Sequence, residues 1–271
     1  MVGKCFVHGL IDVAYNELYG LAIGKIYKPE QLAYYNKGNQ FPKLITTNIN
    51  GSISSVMLPA LSNEQDDKEK MKKMTRRSIK TSSFILFPMM FLLAAISEPV
   101  VRILLTDKWL PAVPIMQLLC FSYILWPIHT INLQAISAMG RSDIFLKLEI
   151  IKKVIGIIVL VISIPFGIYI MAFMQIITSI ISAVINSYPN KKLLNYSIKE
   201  QAKDILPAFA LSCIMAIIVY IVNLLQLNLV LKLIIQIAIG IVFYFTSAYV
   251  FKMESFKYII EIIKRKYKGA E

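Results

Sequence analysis

Long apolar runs separated by short charged segments dominate this sequence. Residues 84–96, 154–190 and 205–231 contain no charged side chain. A charge at the centre of a membrane helix costs roughly 2.5–3.5 kcal/mol, whereas each Leu, Ile, Val or Phe favours insertion by about 0.3–0.6 kcal/mol. Charges therefore collect where a chain leaves the bilayer, and the pattern predicts transmembrane helices joined by polar connections.

Eight crossings are predicted, each from a run of about 20 predominantly apolar residues. The run 154–187 contains 34 residues, and a single helix of that length would measure about 51 Å against a hydrocarbon core of about 30 Å. Pro165 and Gly167 interrupt this run, so it predicts a hairpin of two helices. The predicted helices span 4–24, 41–61, 82–104, 112–138, 146–164, 167–188, 203–225 and 229–251.

The end of the chain has a different pattern. The segment FKMESFKYIIEIIKRKYK mixes basic and apolar residues at helical spacing, which predicts a basic amphipathic helix on the membrane surface. The expected fold is therefore an all-α integral membrane protein in three parts. Six crossings occupy residues 1–190, two final crossings occupy 191–251, and the amphipathic tail occupies 252–271.

Composition agrees with a membrane protein. The chain is 57% apolar and only 17% charged, with a mean hydropathy of +0.63, whereas soluble domains carry about 25% charged residues. The net charge of +13 is also typical of proteins that bind nucleic acid. Here the basic residues flank apolar runs, so membrane topology explains them better than a nucleic-acid partner does.

The distribution of Lys and Arg predicts the orientation of the helices. The alternate connections 62–80, 139–153, 189–204 and 252–271 carry 21 of the 29 basic residues. The opposite connections at 25–43 and 98–111 carry four and two. Because basic connections stay on the cytoplasmic side, we predict a multi-pass membrane protein with both termini in the cytoplasm.

The sequence contains no pattern typical of a catalytic or metal-binding site. The three cysteines, Cys5, Cys120 and Cys213, are far apart, and neither histidine has a Cys or His partner at ligand spacing. The chain contains no Gly-rich phosphate loop, no DxD pair, and no Ser, His and Asp order that favours hydrolysis. We therefore expect no metal, no cofactor and no enzymatic activity.

Five stretches resemble one protein family. Together they are similar to the C-terminal half of bacterial polysaccharide flippases of the multidrug/oligosaccharidyl-lipid/polysaccharide exporter superfamily, in the branch that exports O-antigen, teichuronic acid and colanic acid. The resemblance covers residues from about 10 to 250. The stretches are LAYYNKGNQFP (32–42), SSVMLPALSNEQDD (54–67), LLTDKWLPAVPIMQLLC (104–120), AMGRSDIFLKLEIIKK (138–153) and INSYPNKKLLNYSIKEQAKDILP (185–207).

This resemblance implies a fold of twelve to fourteen helices in two lobes, with a lipid-linked saccharide carried between the lobes by alternating access. Such proteins are about twice as long as this chain, whose first residue corresponds to the seventh helix of the full fold. The chain is thus expected to be the second lobe plus two final helices, as a truncated product or a fragment. Expected partners are a polyprenyl-diphosphate-linked glycan, membrane lipids, and a separate first lobe or a second copy of the chain.

Alternating access requires polar groups on faces that line a cavity within the membrane. Thr46, Asn50 and Ser54 recur every four residues and are predicted to share such a face. Hydrogen bonding between helices, or close packing near Gly51, explains the same pattern. The full candidate substrate path is His8, Asp12, Tyr15, Asn50, Trp126, His129, Asn132, Gln134, Arg141, Lys152 and Lys153.

The last three of these candidates are basic and precede or enter the fifth helix. Arg141, Lys152 and Lys153 could contact the diphosphate of the carrier lipid, since guanidinium groups suit bidentate phosphate binding. Glu149 is three and four residues from the two lysines and would neutralise one of them in part. The same charges are also explained by a cytoplasmic turn. The hypothesis for Lys152 and Lys153 is that their removal impairs glycan export without changing membrane insertion.

Three alternatives to a polysaccharide flippase remain open from the sequence. The first is a drug or cation-coupled exporter of the same superfamily. The second is a membrane-bound transferase that acts on lipid carriers, which would need a convergent acid/base or metal site. The third is a chain that does not transport by itself and acts as a partner subunit.

The predicted topology can be tested with reporter fusions after residues 70 and 195, which lie in two of the basic connections. Both fusions should report a cytoplasmic position in intact cells, because Lys and Arg keep those connections inside. A fusion in the predicted outer turn 164–168 is the matched control and should report the opposite side. An external signal from either basic connection would contradict the predicted orientation.

Overall fold

A computed structural model of the protein describes residues 18–268, except the side chains at 263 and 265–268. This part of the chain is built of helices. Three short 3-10 helices, Asp107–Ala112, Ile164–Phe166 and Val222–Leu224, continue or link them. The α-helices are α1 (18–26), α2 (Pro29–Ser62), α3 (Lys68–Ala95), α4 (Ser97–Leu104), α5 (Val113–Tyr123), α6 (Trp126–Ala138), α7 (Ser142–Ser163), α8 (Ile168–Ser187), α9 (Asn190–Leu193), α10 (Ile198–Ile221), α11 (Leu229–Val250) and α12 (Glu254–Lys268).

Helix α3 lies at the centre of the bundle. Twelve of its 28 residues are buried, because α2, α5, α6, α10 and α12 pack around it. Phe87 and Phe91 each meet Phe209 of α10 edge to face, at 6.1 and 5.3 Å between ring centroids. This arrangement of rings stabilises packing beyond the area that it buries. The predicted division of the chain at residue 190 remains a prediction, but α10 shares one core with α3.

The predicted hairpin after residue 154 is confirmed. Helices α7 and α8 are joined by a 3-10 turn, and Gly167 has a φ of +89°, a conformation that glycine adopts without a steric penalty. The hydroxyl of Tyr27 donates to the carbonyl of Ile164 and accepts from the amide of Gly167 at 3.1 Å. The end of α1 is thereby attached to this turn.

Two predicted helices are each divided in the structure. The helix predicted at 82–104 breaks at Ile96, where α3 ends and α4 begins with Ser97. The helix predicted at 112–138 breaks at residues 124–125, before Pro127. Proline lacks a donor for the preceding turn and clashes with it, so it is tolerated in the first turn of a new helix.

Two predicted connections are largely helical, which corrects the sequence-based boundaries. The connection predicted at 25–43 forms the first half of α2, which begins at Pro29. Within the connection predicted at 62–80, only residues 63–67 lie between α2 and α3. Helix α3 begins at Lys68, because the side chain of Asp67 accepts hydrogen bonds from the amides of Glu69 and Lys70 and caps the helix. The predicted boundaries followed the ends of the apolar runs. Both helices continue into polar sequence, and an apolar run does not show how far a helix extends beyond the hydrocarbon.

Five segments in the described part of the chain are long and apolar enough to cross a membrane: Lys68–Ala95, Asp107–Ala138, Ile168–Leu193, Ile198–Leu224 and Leu229–Val250. Helices α2 and α7, with 34 and 22 residues, are long enough but more polar. Most of the first predicted helix falls outside the described residues. The protein is thus an all-α, multi-pass membrane protein, and the total of eight crossings remains a prediction.

The tail of the chain contains helix α12 (Glu254–Lys268), and its place on the membrane surface remains a prediction. Its apolar side packs on the core, where Phe256 contacts Phe84 and Phe245 at 6.3 and 6.1 Å between ring centroids. Lys257, Glu261 and Lys264 are exposed at four- and three-residue spacing. A helix with one apolar and one charged face is expected at the boundary between lipid and water.

Packing between α2 and α5 depends on Gly38. A Cβ atom at this position would lie 2.9 Å from the side chain of Ile115 and 3.0 Å from the carbonyl of Ala112. Gly38→Ala is therefore expected to destabilise the protein by about 1–3 kcal/mol through overpacking. Gly51 lies on the same helix, and a Cβ atom there would meet no other atom within 4 Å, so Gly51→Ala should stabilise by up to about 1 kcal/mol through helix propensity. Thermal unfolding in detergent measures both, and equal effects would contradict this account of α2 packing.

Candidate functional site

Helix α2 has a polar face that nothing in the described chain covers. Nine residues between 36 and 55 are exposed, and Leu44 is the only one of them with an apolar side chain. The nineteen-residue separation spans about 28 Å along a helix, which is close to the thickness of the hydrocarbon core. The other exposed residues are Asn36, Gln40, Lys43, Thr47, Asn48, Gly51, Ser52 and Ser55.

The polar groups on this face bond to their own helix. The Thr47 hydroxyl donates to the carbonyl of Lys43 at 2.8 Å, and the Asn48 amide donates to the carbonyl of Leu44 at 2.8 Å. The Ser52 hydroxyl donates to the carbonyl of Asn48 at 3.0 Å. Such bonds occupy the donors but leave acceptor lone pairs exposed. The face therefore offers hydrogen-bond acceptors without requiring a permanent partner.

Helix α7 shows the contrast expected of a lipid-facing surface. Between residues 150 and 162 all seven exposed residues are Ile or Val. Lipid chains solvate such a surface well, whereas a polar face in hydrocarbon leaves its groups without partners. The two exposed surfaces thus differ in chemistry, and the face of α2 is suited to water or to a polar ligand.

Lys43 is the basic residue at the middle of the polar face. Among the residues that the structure describes, it makes no ion pair. Lys43 is exposed, so its charge is available to attract a negatively charged ligand beside the polar face. Sequence reasoning missed Lys43, since it was assigned to a connection.

The predicted polar stripe of α2 is rotated by one residue in the structure. Thr46 is buried, and its hydroxyl donates to the carbonyl of Pro42 at 2.8 Å. Asn50 is half-buried, and its side-chain oxygen has no hydrogen-bond partner within the described chain. One residue corresponds to about 100° around a helix, so the exposed face follows Thr47, Gly51 and Ser55 instead.

Asn132 is part of a fully buried amide network rather than an open surface. Its Nδ2 donates to Gln201 Oε1 at 2.8 Å, and its Oδ1 accepts from Asn190 at 2.6 Å and from Gln201 Nε2 at 3.0 Å. Ser187 donates to the same Gln201 oxygen at 3.0 Å. These residues come from α6, α8, α9 and α10, so the network joins four helices at one end of the bundle.

The other candidates on α6 are also engaged in packing. His129 Nε2 lies 3.3 Å from Ser179 Oγ of α8. Trp126 stacks on Tyr123 at 5.1 Å between ring centroids. The Gln134 side-chain oxygen is buried and has no partner among the described residues. The structure therefore does not bring these side chains onto the exposed face of α2.

Two of the three basic candidates have an acidic partner. Both guanidinium nitrogens of Arg141 that contact Asp143 lie 3.0 Å from its carboxylate. Lys152 forms an ion pair with Glu149, and both side chains are largely buried. Lys153 is half-buried. The candidates His8, Asp12 and Tyr15 lie outside the described residues. In the described part of the chain, no cluster of His, Cys, Asp and Glu could hold a metal ion.

Comparisons with known proteins find similarity to membrane proteins of polysaccharide biosynthesis. Residues 1–114 match the family described as "Polysaccharide biosynthesis protein". The chain is 31% identical over 111 residues to an "Uncharacterized membrane protein in cps region" of Klebsiella pneumoniae, covering 41% of this chain and 23% of that one. It is 25% identical over 154 residues to "Lipopolysaccharide biosynthesis protein WzxC" of Escherichia coli K12, covering 57% and 31%.

A solved structure shares the fold. The "Lipid II flippase MurJ, inward closed conformation" superposes with a TM-score of 0.75 at 20% sequence identity, covering 92% of this chain and 54% of that chain. The chain thus spans about half of the flippase and less than a third of the two sequence relatives. The resemblance to polysaccharide exporters that the sequence predicts is confirmed by these matches.

Water access to α2 can be measured with single cysteines after Cys5, Cys120 and Cys213 are replaced by Ser or Ala. Thr47→Cys and Ser55→Cys should react with a membrane-impermeant maleimide in intact vesicles, because their side chains line a polar space. Ile157→Cys on α7 is the matched control and should react at least about tenfold more slowly, since thiolate formation is suppressed in hydrocarbon. Equal labelling at the three positions would contradict the distinction between the two surfaces.

Proposed function

We propose that this chain, a relative of the polysaccharide exporters in sequence and in fold, forms one lobe of a transporter that moves lipid-linked saccharide units across the bacterial inner membrane. The observation that carries this proposal is the polar face of α2, which extends about as far as the hydrocarbon core is thick. The chain carries no covalent chemistry in this proposal. It binds the saccharide and changes the side of the membrane to which the site opens.

The chemistry of the α2 face suits a saccharide attached to a phosphorylated lipid. Hydroxyl and amide oxygens of Thr47, Asn48 and Ser52 accept hydrogen bonds from sugar hydroxyl groups. Lys43 lies on the same face and supplies a positive charge to the diphosphate. The apolar exterior of α7 leaves the lipid tail in the bilayer while the polar head group passes along α2.

One lobe presents one wall of such a path, so the proposal includes a partner for the α2 face. A first lobe encoded separately, or a second copy of this chain, would supply the opposite wall. The polar residues on α2 then face an aqueous space between two lobes instead of lipid. The basic residues at the ends of α3, α7, α10 and α12 favour an orientation with both termini in the cytoplasm.

An exporter of drugs or cations from the same superfamily is the alternative. Apolar or cationic drugs would not need a lone lysine on the cavity wall, and the like charge of Lys43 would repel a cation. The uncompensated charge at this position therefore favours an anionic substrate. A transferase acting on lipid carriers is less consistent with the described residues, because they show no convergent acid/base site.

Lys43→Gln is the direct test of anion binding on the α2 face. The variant should reduce saccharide export by roughly tenfold or more, because a charge-assisted contact of about 1.5–3 kcal/mol is lost. Lys43→Arg should retain most of the export. Complementation of a strain that lacks its own exporter, with surface glycan as the readout, measures both.

Lys203→Gln is the matched control, since Lys203 is an exposed base on α10 away from the α2 face. It should leave export unchanged. Lys152→Gln combined with Lys153→Gln tests the sequence-based phosphate hypothesis in the same assay. Normal export by the Lys43→Gln variant, with the protein inserted at wild-type level, would contradict an anionic substrate on α2.

A further inference from the structure

A cavity of about 200 Å³ lies between the first half of α3 and the tail helix α12. Arg77, Lys80 and Thr81 line it from α3, and Lys257, Tyr258 and Glu261 line it from α12. It is remote in sequence from the polar face of α2, and none of its lining residues belongs to the saccharide path. Its chemistry therefore needs a separate explanation.

The charges on the cavity wall are only partly compensated. Lys80 pairs with Glu254 and lies 4.0 Å from Asp204. Arg77 and Lys257 make no ion pair among the described side chains, and the same holds for Glu261. Two uncompensated cations and one uncompensated anion leave the described wall with a net charge of about +1. This balance favours a monoanionic ligand.

A ring contact holds the Arg77 guanidinium at the cavity. The Arg77 guanidinium lies over the ring of Tyr258 at 4.6 Å from its centroid, which orients its remaining donors. Hydroxyl groups of Thr81 and Ser255 also line the wall and can donate hydrogen bonds. Planar guanidinium, ammonium and hydroxyl donors together match the oxygens of a phosphate group.

The surroundings place this cavity at the edge of the hydrocarbon core. On α3 the charged segment ends at Lys80, and the uncharged run begins with Thr81. At the adjoining end of α11, Tyr249, Val250 and Phe251 are 71%, 64% and 74% exposed. Exposed aromatic rings are typical of the membrane interface. A phosphate bound beside such a surface has apolar groups within reach of an attached acyl chain.

We propose that the cavity between α3 and α12 binds the phosphodiester head group of an anionic phospholipid, with its acyl chains along the exposed end of α11. The lipid connects α12 to α3 in addition to the Lys80–Glu254 ion pair and the contact of Arg77 with Tyr258. A free phosphate ion would satisfy the cations but would leave the apolar surface of Tyr249 and Phe251 uncovered, which favours the lipid. This inference depends on the membrane fold and not on the proposed transport.

Binding of short-chain phosphatidylglycerol to the purified chain in neutral detergent tests the proposal, with native mass spectrometry as the readout. The wild type should retain one phosphatidylglycerol and should bind short-chain phosphatidylcholine much more weakly. Arg77→Gln combined with Lys257→Gln should weaken binding by roughly 30-fold, from about 1 kcal/mol for each base near the lipid surface. Lys257→Gln alone preserves the contact of Arg77 with Tyr258 and should weaken binding by about fivefold.

Lys68→Gln combined with Lys73→Gln is the matched control. It removes the same charge from exposed positions on the same end of α3, outside the cavity lining, and should change binding by less than about threefold. Equal affinity for phosphatidylcholine, or unchanged binding by Lys257→Gln and the double cavity variant, would overturn the proposal. Binding of inorganic phosphate as tightly as phosphatidylglycerol would assign the cavity to a free anion instead of a lipid.

Discussion

Burial of α3 is the interaction on which the rest of the structure depends. Its phenylalanines at 84, 87 and 91 belong to one core that includes Leu211 and Met215 of α10. Helices around α3 face it with their buried side and face outward with the other. The outer sides of α7 and α11 are mainly apolar, as expected for surfaces in contact with lipid. The outer side of α2 carries polar, mostly uncharged groups over residues 36–55, whereas that of α12 is charged.

Polar groups of the bundle form two kinds of hydrogen bond. Asn132, Asn190 and Gln201 lie between helices and bond to one another. Thr47 and Ser52 lie on an exposed helix face and bond to the carbonyl of the preceding turn. An unpaired amide in hydrocarbon costs several kcal/mol. The first arrangement holds helices together, and the second leaves α2 able to meet a ligand or another lobe.

Charged groups also fall into two sets: those paired with an opposite charge within the protein, and those without such a partner among the described side chains. Arg76 donates two hydrogen bonds to Asp204, at 2.8 and 2.7 Å, and Tyr196 donates to the same carboxylate at 2.8 Å. This cluster joins α3 to the start of α10, and its opposite charges neutralise each other. Lys43, Arg77 and Lys257 have no such acidic partner among the described side chains. These exposed bases are therefore available to an external anion, Lys43 on the α2 face and Arg77 and Lys257 on the cavity wall.

The membrane class, the hairpin at Pro165 and Gly167, the last two spans and the amphipathic tail were determined by the sequence itself, because apolar runs and helix-breaking residues act locally. Such local patterns do not determine which side of a helix is buried by neighbouring helices. Thr46 and Thr47 are neighbours of identical chemistry, yet packing of α2 buries the first and exposes the second. The pairs of Arg141 with Asp143 and of Lys152 with Glu149 join residues two and three apart, so they are local, whereas the fold decided that Lys43 has no acidic partner among the described side chains. The availability of a polar side chain depends on its neighbours in space, and only the folded bundle decides those.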